Sequence, residues 1–116
     1  MHPTLTVTRE PDRARVALLR VAGRLDSDTA PDLLAHCGRV QAEGRDLVLS
    51  LAGVTFLGSS GVGALLVLVE QFQEQSGRVR FAAISAAARA VIDLLDLESY
   101  LPVDDTEDDA LRAMAA

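Results

Sequence analysis

Two adjacent hydroxyls, Ser59 and Ser60, stand in the run 54–63 (VTFLGSSGVG), between apolar segments of different character. Before them, 46–51 (DLVLSL) is short and β-prone. After them, 62–69 (VGALLVLV) continues into the polar 70–76 (EQFQEQS) and stops at Gly77, the pattern of a helix with a C-terminal glycine. The serines therefore fall where a strand hands over to a helix. A helix start carries unpaired N–H groups and the positive end of the dipole, so a hydroxyl there can cap the helix or carry a phosphate held by nearby amides. The plainer reading makes one serine a cap and the other a small residue in a tight turn. The sharper one makes a serine a phosphate acceptor, which would place roughly −1.5 to −2 charges on the surface.

Other chemistries lack their parts. An esterase elbow requires Gly-x-Ser-x-Gly, and the run Gly58-Ser59-Ser60-Gly61-Val62 fails at its last position. A serine nucleophile also needs a base, and the two histidines, His2 and His36, lie at the chain start and within a predicted helix. Two histidines and one cysteine give no metal-ligand spacing, and no cofactor is expected. All 11 basic residues are arginine, which removes Schiff-base chemistry and the phosphate-binding lysine of a P-loop. Gly61 and Gly63 read as places where the helix approaches its neighbours closely. The net charge of −6 argues against nucleic acid or anionic lipid as the main partner.

The elements that must position the serines can be read along the chain. Residues 5–9 alternate as a strand, and 15–21 form a second strand antiparallel to it, joined through a Pro11-Asp12 turn. Residues 22–27 read as a turn. Thr29, Pro31 and Asp32 resemble a capping box for a helix reaching about Gln41 and ending near Gly44. The third strand, 46–51, is apolar almost throughout and so is expected to be central. Residues 78–83 form a fourth strand, and Ser85 caps a helix over 86–95. Residues 100–103 form a short edge piece because Pro102 cannot donate to a ladder. Thr106 with Asp109 caps a last helix over 107–115, and the acidic run 104–109 supplies charge suited to a helix start.

The expected fold is α/β: one mixed, mostly parallel sheet of four to five strands with about four helices, in a single domain over 1–116. No apolar run approaches the ~20 residues of a membrane span. Residues 1–10 lack a basic region followed by an apolar stretch, so a cytoplasmic protein is expected. The lone Cys37 fills space within a helix and forms no internal disulfide.

Taken together, Gly23-Arg24-Leu25-Asp26 with Thr29, the strand 46–51, the run 54–63 and the segment 84–94 (ISAAARAVIDL) resemble the anti-sigma factor antagonists, whose module is the STAS domain. The likeness spans nearly the whole chain. It implies a binding protein without catalytic activity, which docks onto an anti-sigma factor that is an ATP-binding serine kinase, and so releases a sigma factor for transcription. It implies that Ser59 is the phosphorylated residue and that phosphate blocks docking until a serine phosphatase removes it. It places the partner surface on Asp26, Thr29, Gly58, Ser59, Ser60, Gly61 and Val62, in a protein expected to be a monomer. One departure stands out, since the acid that usually precedes the phosphorylated serine is Gly58 here. Gly58 leaves open another membership, as a STAS subunit of a lipid-transport complex or multi-STAS signalling particle that grips a constant partner without phosphate.

Overall fold

The computed structural model describes residues 5–115. The elements are β1 (Leu5–Arg9), β2 (Val16–Leu25), α1 (Ala30–Ala42), β3 (Asp46–Leu57), α2 (Ser59–Glu74), β4 (Val79–Ala82), α3 (Ala86–Leu94), β5 (Val103–Asp104) and α4 (Glu107–Ala115). They build one five-stranded sheet in the order β1-β2-β3-β4-β5. β1 is antiparallel to β2, and every later pair is parallel. The mixed, mostly parallel sheet with four helices agrees with the architecture read from the sequence.

Consecutive parallel strands laid down in one direction with right-handed crossovers place every connecting helix on the same face. Accordingly α1, α2 and α3 share the main core with Ala17, Leu19, Val21, Leu47, Leu49, Leu51 and Phe81. α4 follows the last strand and is free to cross over. It covers the opposite face, where Ala110 and Met114 pack on Val16, Leu18, Val48 and Ala82. Arg20 anchors its start, donating to both carboxylate oxygens of Glu107 at 3.0 and 2.9 Å. β3 is buried on both faces over 47–51, as expected for a central strand.

Three local expectations are corrected. Residues 22–27 do not turn after Val21, because β2 stays paired through Leu25. The ladder absorbs two register shifts there, with Gly23 at φ 111. β3 likewise runs on to Leu57 instead of ending at Leu51. Gly53 lies opposite Ala22 at a bulge so tight that a Cβ on Gly53 would come within 2.8 Å of Ala22 Cβ. Finally, α2 ends at Glu74, and the left-handed residue after it is Ser76 (φ 60), not Gly77. Gly77 is set by space, since its N–H reaches Phe72 O at 2.7 Å and a Cβ there would crowd the Phe72 ring at 3.2 Å.

The two glycines of the α2 start differ in the same way. A Cβ on Gly61 would lie 2.6 Å from Leu25 O and 2.8 Å from side-chain atoms of both Leu25 and Leu57. Nothing lies within 4 Å of a Cβ on Gly63, so the close approach expected of both holds for Gly61 alone. Gly61→Ala is expected to destabilise the domain by about 1–3 kcal/mol through overpacking. Gly63→Ala is expected to stabilise it by about 0.5–1 kcal/mol through helix propensity. Urea unfolding midpoints of the two variants, moving in opposite directions, check this.

Candidate functional site

The serines owe their position to two parallel strands that end side by side. Leu25, the last residue of β2, pairs with Leu57, the last of β3. The next residues are Asp26, which opens the loop to α1, and Gly58, which opens α2. The Gly58 N–H donates to Leu25 O at 2.9 Å and ties the two junctions together. Open α/β sheets bind their partners at the carboxyl ends of the strands, where such loops collect.

Gly58 is the N-cap of α2, in extended conformation (φ −91, ψ 177). Neither serine caps the helix by its side chain, which corrects that expectation. Ser59 and Ser60 are instead the first two helical residues, and both are exposed. The first helical hydrogen bond of this turn runs from Val62 N–H to Gly58 O at 3.0 Å. The amides of Ser59, Ser60 and Gly61 precede it and have no acceptor within the helix. The first turn carries no acidic residue, so nothing on the helix offsets the positive dipole end. Gly61 and Val62 are buried and face Leu25 and the core.

The neighbouring loop is held by hydrogen bonds of its own. The Thr29 hydroxyl donates to Arg24 O at 2.8 Å and accepts from Asp26 N–H at 3.0 Å. Asp26 Oδ1 accepts from the N–H groups of Asp28 and Thr29 at 3.0 and 3.2 Å. Thr29 is 2% exposed and makes no capping bond to α1, so the capping box read at 29–32 is replaced by this inward brace. Thr29 adopts αR backbone geometry (φ −104, ψ −20), which turns its side chain back to the β2 end. The capping signals at Ser85 and Thr106 do hold: Ala88 N–H donates to Ser85 Oγ at 3.2 Å and Asp109 N–H to Thr106 Oγ1 at 3.0 Å.

Of the seven residues assigned to the partner surface, Ser59 and Ser60 are exposed, and Asp26 and Gly58 are half-buried beside them. Thr29, Gly61 and Val62 lie beneath and set the positions of the others. Two residues given no role from the sequence join the surface. Arg24 and Phe56 are cross-strand partners, and the guanidinium sits 4.1 Å from the ring centroid. Arg24 also reaches Asp26 at 3.5 Å. Phe56 is 40% exposed, and a Cβ on Gly58 would come within 3.1 Å of its ring. Gly58 therefore leaves room for this stack beside Ser59. The available signal was an aromatic out of phase with the buried positions of β3, in a chain with only three phenylalanines.

Burial opposes the charge of Asp26, but the backbone donors of Asp28 and Thr29, then Thr29 and Arg24, outweigh it and hold its carboxyl below the ordinary range. His36 stands on α1 against Arg39 at 3.2 Å and Asp32 at 3.8 Å, and no serine is among those contacts. His2 lies outside the described residues. Among the described residues no group of acids, histidines or cysteine could hold a metal ion, and no helix is long and apolar enough to cross a membrane. Cys37 is fully buried, and that burial pushes its thiol up to about 12.

The sequence profile of the STAS domain matches residues 7–110. The chain belongs to the STAS domain family. It is similar to the anti-sigma-F factor antagonist RsfB of Mycobacterium tuberculosis, with 34% identity over 112 residues, covering 96% of this chain and 90% of that protein. The crystal structure of an anti-sigma factor antagonist from Mycobacterium paratuberculosis is 34% identical and superposes with a TM-score of 0.83 over 97% of this chain and 96% of that one. The Bacillus cell fate determinant SpoIIAA in its phosphorylated form shares the fold at 21% identity, with a TM-score of 0.71 over 94% of this chain and 99% of that one.

Two outcomes test the loop. Thr29→Val keeps the shape but strips partners from Arg24 O and Asp26 N–H, and is expected to cost about 1–3 kcal/mol in urea unfolding. Because the carboxyl of Asp26 is depressed in the folded state, its contribution is present above the unfolded value and lost as pH falls through the folded one. The melting-temperature advantage of the wild type over Asp26→Asn is expected to hold at neutral pH and to shrink below about pH 4.

Proposed function

We propose that this STAS domain is an anti-sigma factor antagonist whose docking is gated by phosphorylation of Ser59. The observation that carries the reading is an exposed Ser59 hydroxyl on the first turn of α2, beside three amides without helical acceptors in a turn that holds no acidic residue. The names of the two mycobacterial relatives support the antagonist role. A phosphorylated form is named for a protein of the same fold.

In this reading the unphosphorylated surface of Ser59, Ser60, Gly58, Asp26, Arg24 and Phe56 docks onto an ATP-binding anti-sigma factor in the cytoplasm and releases a sigma factor. The partner supplies the catalysis: the γ-phosphoryl group of ATP passes to Ser59 Oγ, ADP leaves, and the hydroxyl proton goes to a base of the partner. This chain contributes the acceptor and its presentation. The helix amides hold the product phosphate without refolding the domain. A partner packed on that turn would then have to desolvate a dianion. A hundredfold loss of affinity needs about 2.7 kcal/mol, and an uncompensated buried charge exceeds that. A serine phosphatase resets the surface.

Gly58 supports a second reading, in which the Arg24–Phe56 stack is a permanent grip for a constant partner in another STAS assembly and no phosphate is involved. Incubation with the anti-sigma factor encoded nearest to this chain, plus ATP, separates the two. The first reading expects phosphate on Ser59 by mass spectrometry, none in Ser59→Ala, binding retained by Ser59→Ala, and binding weakened at least tenfold by Ser59→Asp. Phosphate on another residue, or Ser59→Asp binding as the wild type does, would sink the switch. Tight binding with no phosphate incorporated would favour the second reading.

A further inference from the structure

At the opposite end of the sheet from Ser59, where the parallel strands begin, a cavity of about 710 Å³ opens between α4 and the β1–β2 turn. That volume falls within the range of small-molecule sites. Its floor is apolar, made by Val16, Leu111 and Met114. Its rim is arginine-rich, in a chain whose net charge is −6. Two of the rim arginines are committed: Arg78 donates to Asp46 and to Met114 O at 2.8 Å, and Arg112 pairs with Asp109. Arg13 and Arg15 are exposed at the turn, and among the described residues neither has a carboxylate within ion-pair distance. Ala14 between them holds a positive φ of 53, and the Arg13–Val16 bridge closes the turn with both N–H···O bonds at 2.9 Å.

We propose that this cavity binds an amphipathic monocarboxylate, with its head on Arg13 and Arg15 and its apolar chain on Val16, Leu111 and Met114. A guanidinium takes a carboxylate in a two-point hydrogen-bonded pair, and two such groups flank one end of an apolar trough. The rim also carries Asp46 and Asp108, which disfavour a multiply charged head such as a phosphate monoester or nucleotide. Among the described residues no aromatic ring lines the cavity to stack a base. A ligand there touches the start of β2 and the end of α4 together, so it fastens α4 to the sheet. The site is independent of Ser59 and of the antagonist reading.

Isothermal titration calorimetry of the whole chain with decanoate, kept below micelle formation, tests the proposal, alongside amide chemical shifts. Expected are saturable binding, shifts centred on 13–16 and 108–115, at least tenfold weaker binding to Arg13→Gln/Arg15→Gln, and much weaker binding of uncharged decanol. Both arginines are exposed, and among the described residues neither makes an ion pair, so the double variant should melt as the wild type does without ligand. The proposal is overturned if decanoate gives no saturable binding, if the double variant binds equally well, or if the shifts centre on the exposed apolar residues Leu94, Leu95 and Tyr100.

Discussion

The carbonyl of Leu25 is the point on which the Ser59 surface turns. It accepts the Gly58 N–H and, from the other side, is closed over by Gly61, whose missing side chain is the condition for the approach. A side chain at 61 would push the first turn of α2 away from β2 and break the register between the strand ends. The two loops that meet there would then no longer share a surface. Burial of Leu25, Leu57 and Val62 beneath that carbonyl makes the junction stiff. A stiff first turn gives the two serine hydroxyls fixed places, so little ordering entropy is left to lose when a partner docks.

The second loop shows how polar groups near a core are made affordable. Thr29 is almost wholly buried, yet its hydroxyl both gives and receives a hydrogen bond, and Asp26 gathers two backbone N–H groups. Among the described residues no buried side-chain polar atom is left without a partner. The bracing is local in sequence, within residues 24–29, while the contact to Gly58 spans more than thirty residues. Residues 24–29 thus order their own loop by hydrogen bonds among themselves, and join the other loop through the Leu25 carbonyl, which accepts from Gly58 N–H.

Much of this was legible in the chain. The helix after Ser59, the caps at Ser85 and Thr106, and the apolar centre of β3 follow from local rules that tertiary structure had no reason to override. The failures share one cause. Gly23 read as part of a turn and Gly77 as a helix stop because glycine is the usual punctuation, but Gly77 is glycine for want of space and Gly23 sits within an irregular ladder. Whether a glycine ends an element or lets two elements touch depends on a neighbour distant in sequence. Thr29 failed for a related reason, since its hydroxyl donates to Arg24 O of the preceding strand and accepts from Asp26 N–H in place of the amides of its own helix. The Arg24–Phe56 pair was out of reach until the register of β2 against β3 was known.

The cysteine has a practical corollary. Cys37 is sealed on the inward face of α1 with a thiol that stays protonated near neutrality, and the chain contains no lysine. Nature has thus left the exterior almost blank to maleimides and to amine-reactive dyes alike. A single cysteine introduced on the outer side of α2 would carry a fluorophore at one defined address, without the wild-type thiol having to be removed first.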